Sequence, residues 1–184
     1  MNNAITRHTL AVLVDNEAGV LSRVARLFSG KGYNIESLAV GATHDPAISR
    51  MTIEMLTDEK QARLICNQLR KLICVHSVKR LSAERAMRRE LVLIKVSAPT
   101  HQARSEVIQI ANIFRASVID VSMETITVAV IGDDSKAEAI QNLLSEFGIL
   151  ELVRTGTVAL ERGAYTIDEQ TKEKGEFDYG KNVL

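Results

Sequence analysis

The stretch Leu10-Ala11-Val12-Leu13-Val14-Asp15-Asn16-Glu17-Ala18-Gly19-Val20-Leu21-Ser22-Arg23-Val24 decides the fold. Leu10, Val12 and Val14 alternate with Ala11 and Leu13, which predicts a strand buried on at least one face. Asp15 to Gly19 then break the alternation with helix-start chemistry. Val20, Val24, Leu27 and Phe28 recur at helical spacing, and Gly30 and Gly32 end that helix. Working outward, Asn34 to Val40 reads as a second strand and His44-Asp45-Pro46 as a turn. Met51, Ile53 and Met55 alternate with Arg50, Thr52 and Glu54, predicting a third strand with one wet face. Ala62, Ile65, Leu69 and Leu72 mark a second helix, and Val75 to Leu81 a closing strand. Residues 1–80 therefore read as β-α-β-β-α-β.

The order then repeats. Lys79 to Glu90 carries five basic and two acidic residues with little strand pattern, so residues 81–90 are expected to link two units. Residues 91–162 give a strand at Leu91–Val96 and a helix carrying Val107, Ile110 and Phe114. Strands follow at Ser117–Ser122 and at Ile126–Val130. A helix with Ala137, Ile140, Leu144 and Phe147 comes next, and a final strand at Ile149–Val158. Gly132-Asp133-Asp134-Ser135 is a turn and helix cap rather than a carboxylate pair. Two such units form an α+β protein of two ferredoxin-like domains in tandem, each a four-stranded antiparallel sheet with two helices on one face. Residues 163–184 are polar and offer little to bury, so a disordered or loosely docked tail is expected. The helix-free sheet faces, on units of only about 80 residues, favour association into at least a homodimer.

Composition narrows the function. The 184 residues are 46% hydrophobic and 25% charged, with 23 basic and 23 acidic side chains, so no bulk field exists to hold nucleic acid or a membrane. Three tyrosines, four phenylalanines and no tryptophan are a poor supply for base stacking. The first eight residues lack the basic region and apolar run expected of a signal peptide, no apolar run reaches bilayer length, and Cys66 and Cys74 read as reduced core thiols of a chain expected in the cytoplasm. His8, His44, His76 and His101 are scattered, with none at metal-ligand spacing from another His or Cys. No nucleophile elbow, phosphate loop or dinucleotide fingerprint occurs. The chain reads as a binding module rather than a catalyst.

The remaining chemistry lies at the first helix start. The first turn of a helix presents free N–H groups and partial positive charge, a place for a carboxylate, and Gly19 admits a ligand close to the backbone. The Asn16 amide can donate and accept, which suits an amino acid. The same residues also suit a plain helix start in which Asp15 or Asn16 caps the first turn, and Asn34 equally suits a turn. The residue types leave both readings open.

Asp15 to Val24, Phe28-Ser29 with Lys31 to Leu38, and Ser49 to Ile53 resemble the small regulatory subunit of acetolactate synthase (acetohydroxyacid synthase). Arg89 to Val96 and Ile113 to Val121 extend the resemblance through the second unit, so that it covers roughly residues 7 to 162. The run Gly32-Tyr33-Asn34-Ile35-Glu36-Ser37-Leu38 is its most specific part. The first unit is thereby similar to an ACT domain, the small-molecule-sensing form of this fold. Asp15 stands where Glu is common in relatives, and the tail beyond Gly163 lies outside the resemblance.

The resemblance implies a non-catalytic partner of a thiamine-diphosphate large subunit that condenses two pyruvates to 2-acetolactate. The small subunit raises the activity of the large one and confers feedback inhibition by valine or another branched-chain amino acid. Thiamine diphosphate, magnesium and FAD are expected only in the large subunit; here Gly132-Asp133-Asp134 is not followed at suitable distance by paired asparagines. The effector site of the family lies between the ACT domains of a homodimer. By position, Asn16, Gly19, Val20 and Leu21 come from one chain and Asn34 and Ile35 from the other. Val20 and Ile35 would line an apolar pocket, and the N–H groups of Gly19 to Leu21 would hold the carboxylate. Arg85, Arg88, Arg89 and the second domain are candidates for the large-subunit contact. The alternatives are a stand-alone ACT-domain sensor acting on another enzyme or regulator, or an enzyme in its own right. The missing catalytic set weighs against the last, and neutral charge without a helix-turn-helix pattern weighs against a transcriptional regulator.

Overall fold

The computed structural model describes residues 4–167, which divide into two compact units. In the first, β1 (Thr6–Asp15), α1 (Val20–Ser29), β2 (Ser37–Ala42), β3 (Ile48–Thr57), α2 (Glu59–Leu69) and β4 (Val75–Leu81) follow the expected order. The sheet runs β2-β3-β1-β4, antiparallel throughout. Alternation places Leu10, Val12 and Val14 of β1 and Met51, Ile53 and Met55 of β3 on one face. They pack there with Val20, Val24 and Phe28 of α1 and Ile65 and Leu69 of α2. Each such fully buried side chain contributes roughly 1.5–3 kcal/mol. Cys66 and Cys74 lie buried and unbridged in this core, and burial pushes the Cys66 thiol pKa up.

β2 begins three residues later than expected. Tyr33 N donates to Phe28 O and closes the α1 terminus, Gly32 turns at φ +70°, and pairing starts only where Glu36 N donates to Glu54 O.

The other face of this sheet departs from expectation in two ways. Thr52 and Glu54 were expected on a wet face but are buried, 3% and 1% exposed; Thr9 Oγ1 donates to Glu54 Oε1 at 3.0 Å. The chain's own residues 159–167 reach this face; residues 163–167 belong to the region expected as a loose tail, and 159–162 to the expected end of the second domain. Ala159 and Ile167 pack with Ala11 and Leu81, half-buried Leu13 joins them, and the Lys79 Nζ pairs with Glu161 Oε2 at 2.7 Å. This face therefore does not by itself call for a partner. The rest of the expected tail, residues 168–184, lies outside the described residues.

The second unit, residues 88–158, holds most of β5 (Ala86–Ser97), then α3 (His101–Ile113), β6 (Ser117–Val121), β7 (Thr125–Gly132), α4 (Asp134–Ser145) and β8 (Ile149–Arg154). Its strand order is β6-β7-β5-β8, and β9 (Val158–Glu161) pairs with β5. Val92, Ile94, Val96, Ile126, Val128 and Val130 form the core with Val107 of α3 and Ile140 and Leu144 of α4. Two boundaries differ from the sequence reading. The connection shrinks to residues 82–85, because β5 starts at Ala86 and Glu90 is buried against Arg154 at 2.8 Å. The single strand expected at Ile149–Val158 becomes two, broken at Gly156, whose φ of +79° leaves the extended region.

Candidate functional site

The loop from β1 into α1 is held by the β2–β3 hairpin rather than by the helix it precedes. Asn16 N donates to Ala47 O at 2.7 Å and Asn16 Nδ2 to Pro46 O at 2.9 Å, while Asn16 Oδ1 accepts from Ser49 Oγ at 3.0 Å. Asp15 accepts at 2.6 Å from His76 Nε2 of β4. Neither Asp15 nor Asn16 caps α1. The N-cap is Gly19, in the left-handed region at φ +85°, and no side chain accepts a hydrogen bond from the first turn. A Cβ there would meet nothing within 4 Å, so the cost of a side chain is backbone strain, not a clash.

The other helices close their own ends. Asp58 accepts from Gln61 N before α2, Thr100 from Ala103 N before α3, and Asp133 from Lys136 N before α4. Asp133 also accepts from Ser135 Oγ, and these hydrogen bonds hold its carboxyl pKa below the usual value, as a cap requires. Among the four helices of the described residues, α1 alone presents a first turn with neither a side-chain cap nor an acidic residue; α3 lacks the acid but has the Thr100 cap. Val20 N reaches Glu17 O only at 3.4 Å, so the positive end of the α1 dipole has no side-chain acceptor of its own and stays accessible to an outside one.

Around this end, Gly19 and Asn16 are exposed and Leu21 is 46% exposed, but Val20 is 3% exposed and spends its side chain on the core. Val20 can offer a site its backbone, not an apolar wall. Asn34 is exposed and donates through Nδ2 to Glu36 Oε1 at 2.7 Å, and Ile35 is half-buried against the core.

The six candidate residues form two groups at opposite ends of the sheet. Ser37 pairs with Glu54 and Glu54 with Thr9, so the start of β2 lies level with a point six residues before Asp15 on β1, roughly 20 Å away. One chain cannot close a small-ligand site from both groups. Because β2 is an edge strand, a second copy paired antiparallel along it would carry its own Asn34 and Ile35 towards the first copy's Gly19 end.

Sequence reasoning missed the polar groups behind this loop: Ser49, which anchors Asn16, and Arg50, which donates through Nη2 to Ala159 O at 2.7 Å. Only the alternation of β3 hinted at Arg50, and that pattern reads as solvent. Among the described residues no group of three or more His, Cys, Asp or Glu is placed to hold a metal ion, and no helix is long and apolar enough to cross a membrane.

Two family models match the chain, one for the small subunit of acetolactate synthase over residues 89–163 and one for the small-subunit-like ACT domain of the same enzyme over residues 10–77. The chain is 47% identical to the acetolactate synthase small subunit of Aquifex aeolicus over 169 residues, 92% of this chain and 88% of that one. It is 51% identical to that of Mycobacterium leprae over 156 residues, 85% and 92% of the two chains. The crystal structure of the acetolactate synthase small subunit from Thermotoga maritima superposes with a TM-score of 0.82 at 37% identity, covering 88% of this chain and all of that one.

Proposed function

Because the chain belongs to the acetolactate synthase small-subunit family, whose members are regulatory subunits of that holoenzyme, we propose that it binds a branched-chain amino acid, valine foremost, between two copies of its first unit and thereby tunes the catalytic large subunit. The observation that carries the reading is the open N-terminus of α1 in a fold whose other helices cap themselves. The effector carboxylate sits on the backbone N–H groups of Gly19 to Leu21. The Asn34 and Ile35 of the second copy supply a polar group and an apolar surface. Asn16 acts through its backbone position, since both ends of its amide already hold the hairpin. Selectivity among valine, leucine and isoleucine then rests on about a methylene, worth only ~1–3 kcal/mol.

The homodimer pairs along β2, and the complex works in the cytoplasm. The large subunit holds thiamine diphosphate, magnesium and FAD and performs the condensation of pyruvate. The Asp133 of this chain is committed to capping α4, and no step of that chemistry runs through it. Activation of the large subunit by the empty dimer and inhibition by the filled one follow as linkage: an effector that bridges two copies favours the geometry that closes its site, and that geometry activates less well.

The test is calorimetric titration of L-valine into the chain alone and mixed with its large subunit, with leucine, isoleucine and alanine for comparison. Saturable binding at one or fewer sites per chain is expected, with alanine weakest. Absence of saturable binding in both preparations would overturn the reading.

A further inference from the structure

One strand joins the candidate site to the far face of the first sheet. Ser49 of β3 donates to Asn16 Oδ1 on the loop side. Its neighbour Arg50 lies by alternation on the opposite face, where its guanidinium donates to Ala159 O at 2.7 Å. Ala159 begins the segment that returns from the second unit to the first, and Ala159, Glu161, Thr166 and Ile167 meet the helix-free face.

This segment is fastened at discrete points rather than packed along its length. Lys79 pairs with Glu161 at 2.7 Å, their side chains only 3% and 8% exposed, and Lys79 Nζ also donates to Thr166 O. Ser77 Oγ donates to Ile167 O, and the Tyr165 ring lies 5.5 Å from the Arg85 guanidinium. Between these points a cavity of about 290 Å³ remains, lined by Arg50, Lys79, Leu81, Glu161 and Tyr165. The buried ion pair makes docking of the segment count in free energy. Paired, it is stable; lifted, it leaves Lys79 to be rehydrated, and intermediate separations satisfy neither charge. Arg50 ties the segment to the strand that carries Ser49.

We propose that Ala159–Ile167 is a strap that reports occupancy of the amino-acid site, linked to it through Asn16, Ser49 and Arg50 and latched by Lys79–Glu161. The inference rests on the amino-acid-binding reading above and adds how occupancy leaves the first unit. A ligand on the α1 end tightens the loop against Ser49, β3 carries Arg50 with it, and the strap docks more firmly. The signal passes onward along the chain itself, because the strap includes most of β9, which pairs with β5. Arg50 is a positioning residue in this scheme and touches no ligand.

Hydrogen exchange of the 159–167 peptide, with and without saturating L-valine, tests this on the complex with the large subunit. Valine is expected to slow exchange there in the wild type. Arg50→Met is expected to bind valine within about twofold of wild type by calorimetry and to activate normally without it. The same variant should lose the exchange response and need about fivefold or more valine for half-inhibition. Arg50→Lys should restore part of the response. Wild-type valine binding with unchanged exchange at 159–167, or Arg50→Met inhibited like wild type, overturns the strap and leaves the binding site standing. Loss of valine binding in Arg50→Met also overturns it, by placing Arg50 in the site. Absence of valine binding in the wild type overturns both proposals. Should Arg50→Met fail to fold by circular dichroism, Glu161→Gln decides on the same readouts.

Discussion

Gly19 does two things that no other residue could combine. Its φ of +85° turns the chain from β1 into α1 with no side chain to cap the helix, and its open surroundings leave the first turn reachable. Gly19→Asp is therefore expected to place a carboxylate where the effector carboxylate belongs and to abolish valine binding and feedback while activation persists. Gly19→Ala separates charge from strain: it carries the left-handed penalty of about 1 kcal/mol without the charge and should retain binding. Valine affinities of the two variants, measured side by side, decide the matter, and equal losses would assign the effect to the backbone. Asp133 is the counterpart that closes its own helix. Asp133→Ala should cost about 1 kcal/mol. Since hydrogen bonds lower the folded-state pKa of Asp133, its contribution is present above the ordinary aspartate range and is lost as pH falls through the lower folded value. Denaturant melts between neutral and acid pH should converge for wild type and variant at the acid end.

At the scale of elements, β2 carries the consequence. Thr43 N donates to Ile48 O, so by alternation the amides of Val40 and Leu38 point away from β3, towards whatever pairs with the edge. Val40→Pro removes an outward amide without taking a bond from the β2–β3 ladder, and an edge strand tolerates it. Sedimentation should then show weakened self-association with the monomer still folded; an undiminished dimer would move the interface off β2. The strand and helix order was legible because its signals are local: alternation in β1, β3 and β7, the cap at Asp133, and the glycines after α1. The errors fell where pairing, not pattern, sets the boundary. Residues 34–36 have strand character but stay outside β2 because Tyr33 is still tied to Phe28. Arg50, Thr52 and Glu54 alternate like a solvated face, and no local signal tells that Thr52 and Glu54 are buried or that Arg50 reaches a carbonyl more than 100 residues later. The candidate site was legible as residue types, yet its division between two ends of a sheet needed the register.

On the scale of the whole molecule, the first unit is discontinuous. The chain leaves it after Met87 and re-enters at Ala159, so the second unit is inserted in the first rather than following it. The first sheet owes part of its burial to residues beyond that insertion. Ala11 and Leu81 meet Ala159 and Ile167, and Lys79 meets Glu161. Truncation therefore has a sharp dependence on where it falls. A chain ending at Ile167 keeps every one of these contacts and should melt later than one that lacks them. A chain ending at Val158 leaves Lys79 without its acid on an uncovered apolar face. Losing one partner of a buried pair costs on the order of 3–5 kcal/mol where water cannot re-enter and less where it can. The expected result is a first unit that melts earlier, while the second unit, whose core of Val92, Ile94, Val128 and Ile140 lies within residues 88–158, keeps its transition. Calorimetric scans of the two truncations check this directly. Equal melting of both would mean that residues 159–167 lie on the sheet without stabilising it. A strap that contributes nothing to stability could transmit nothing, because docking can report occupancy only to the extent that docking itself changes the free energy.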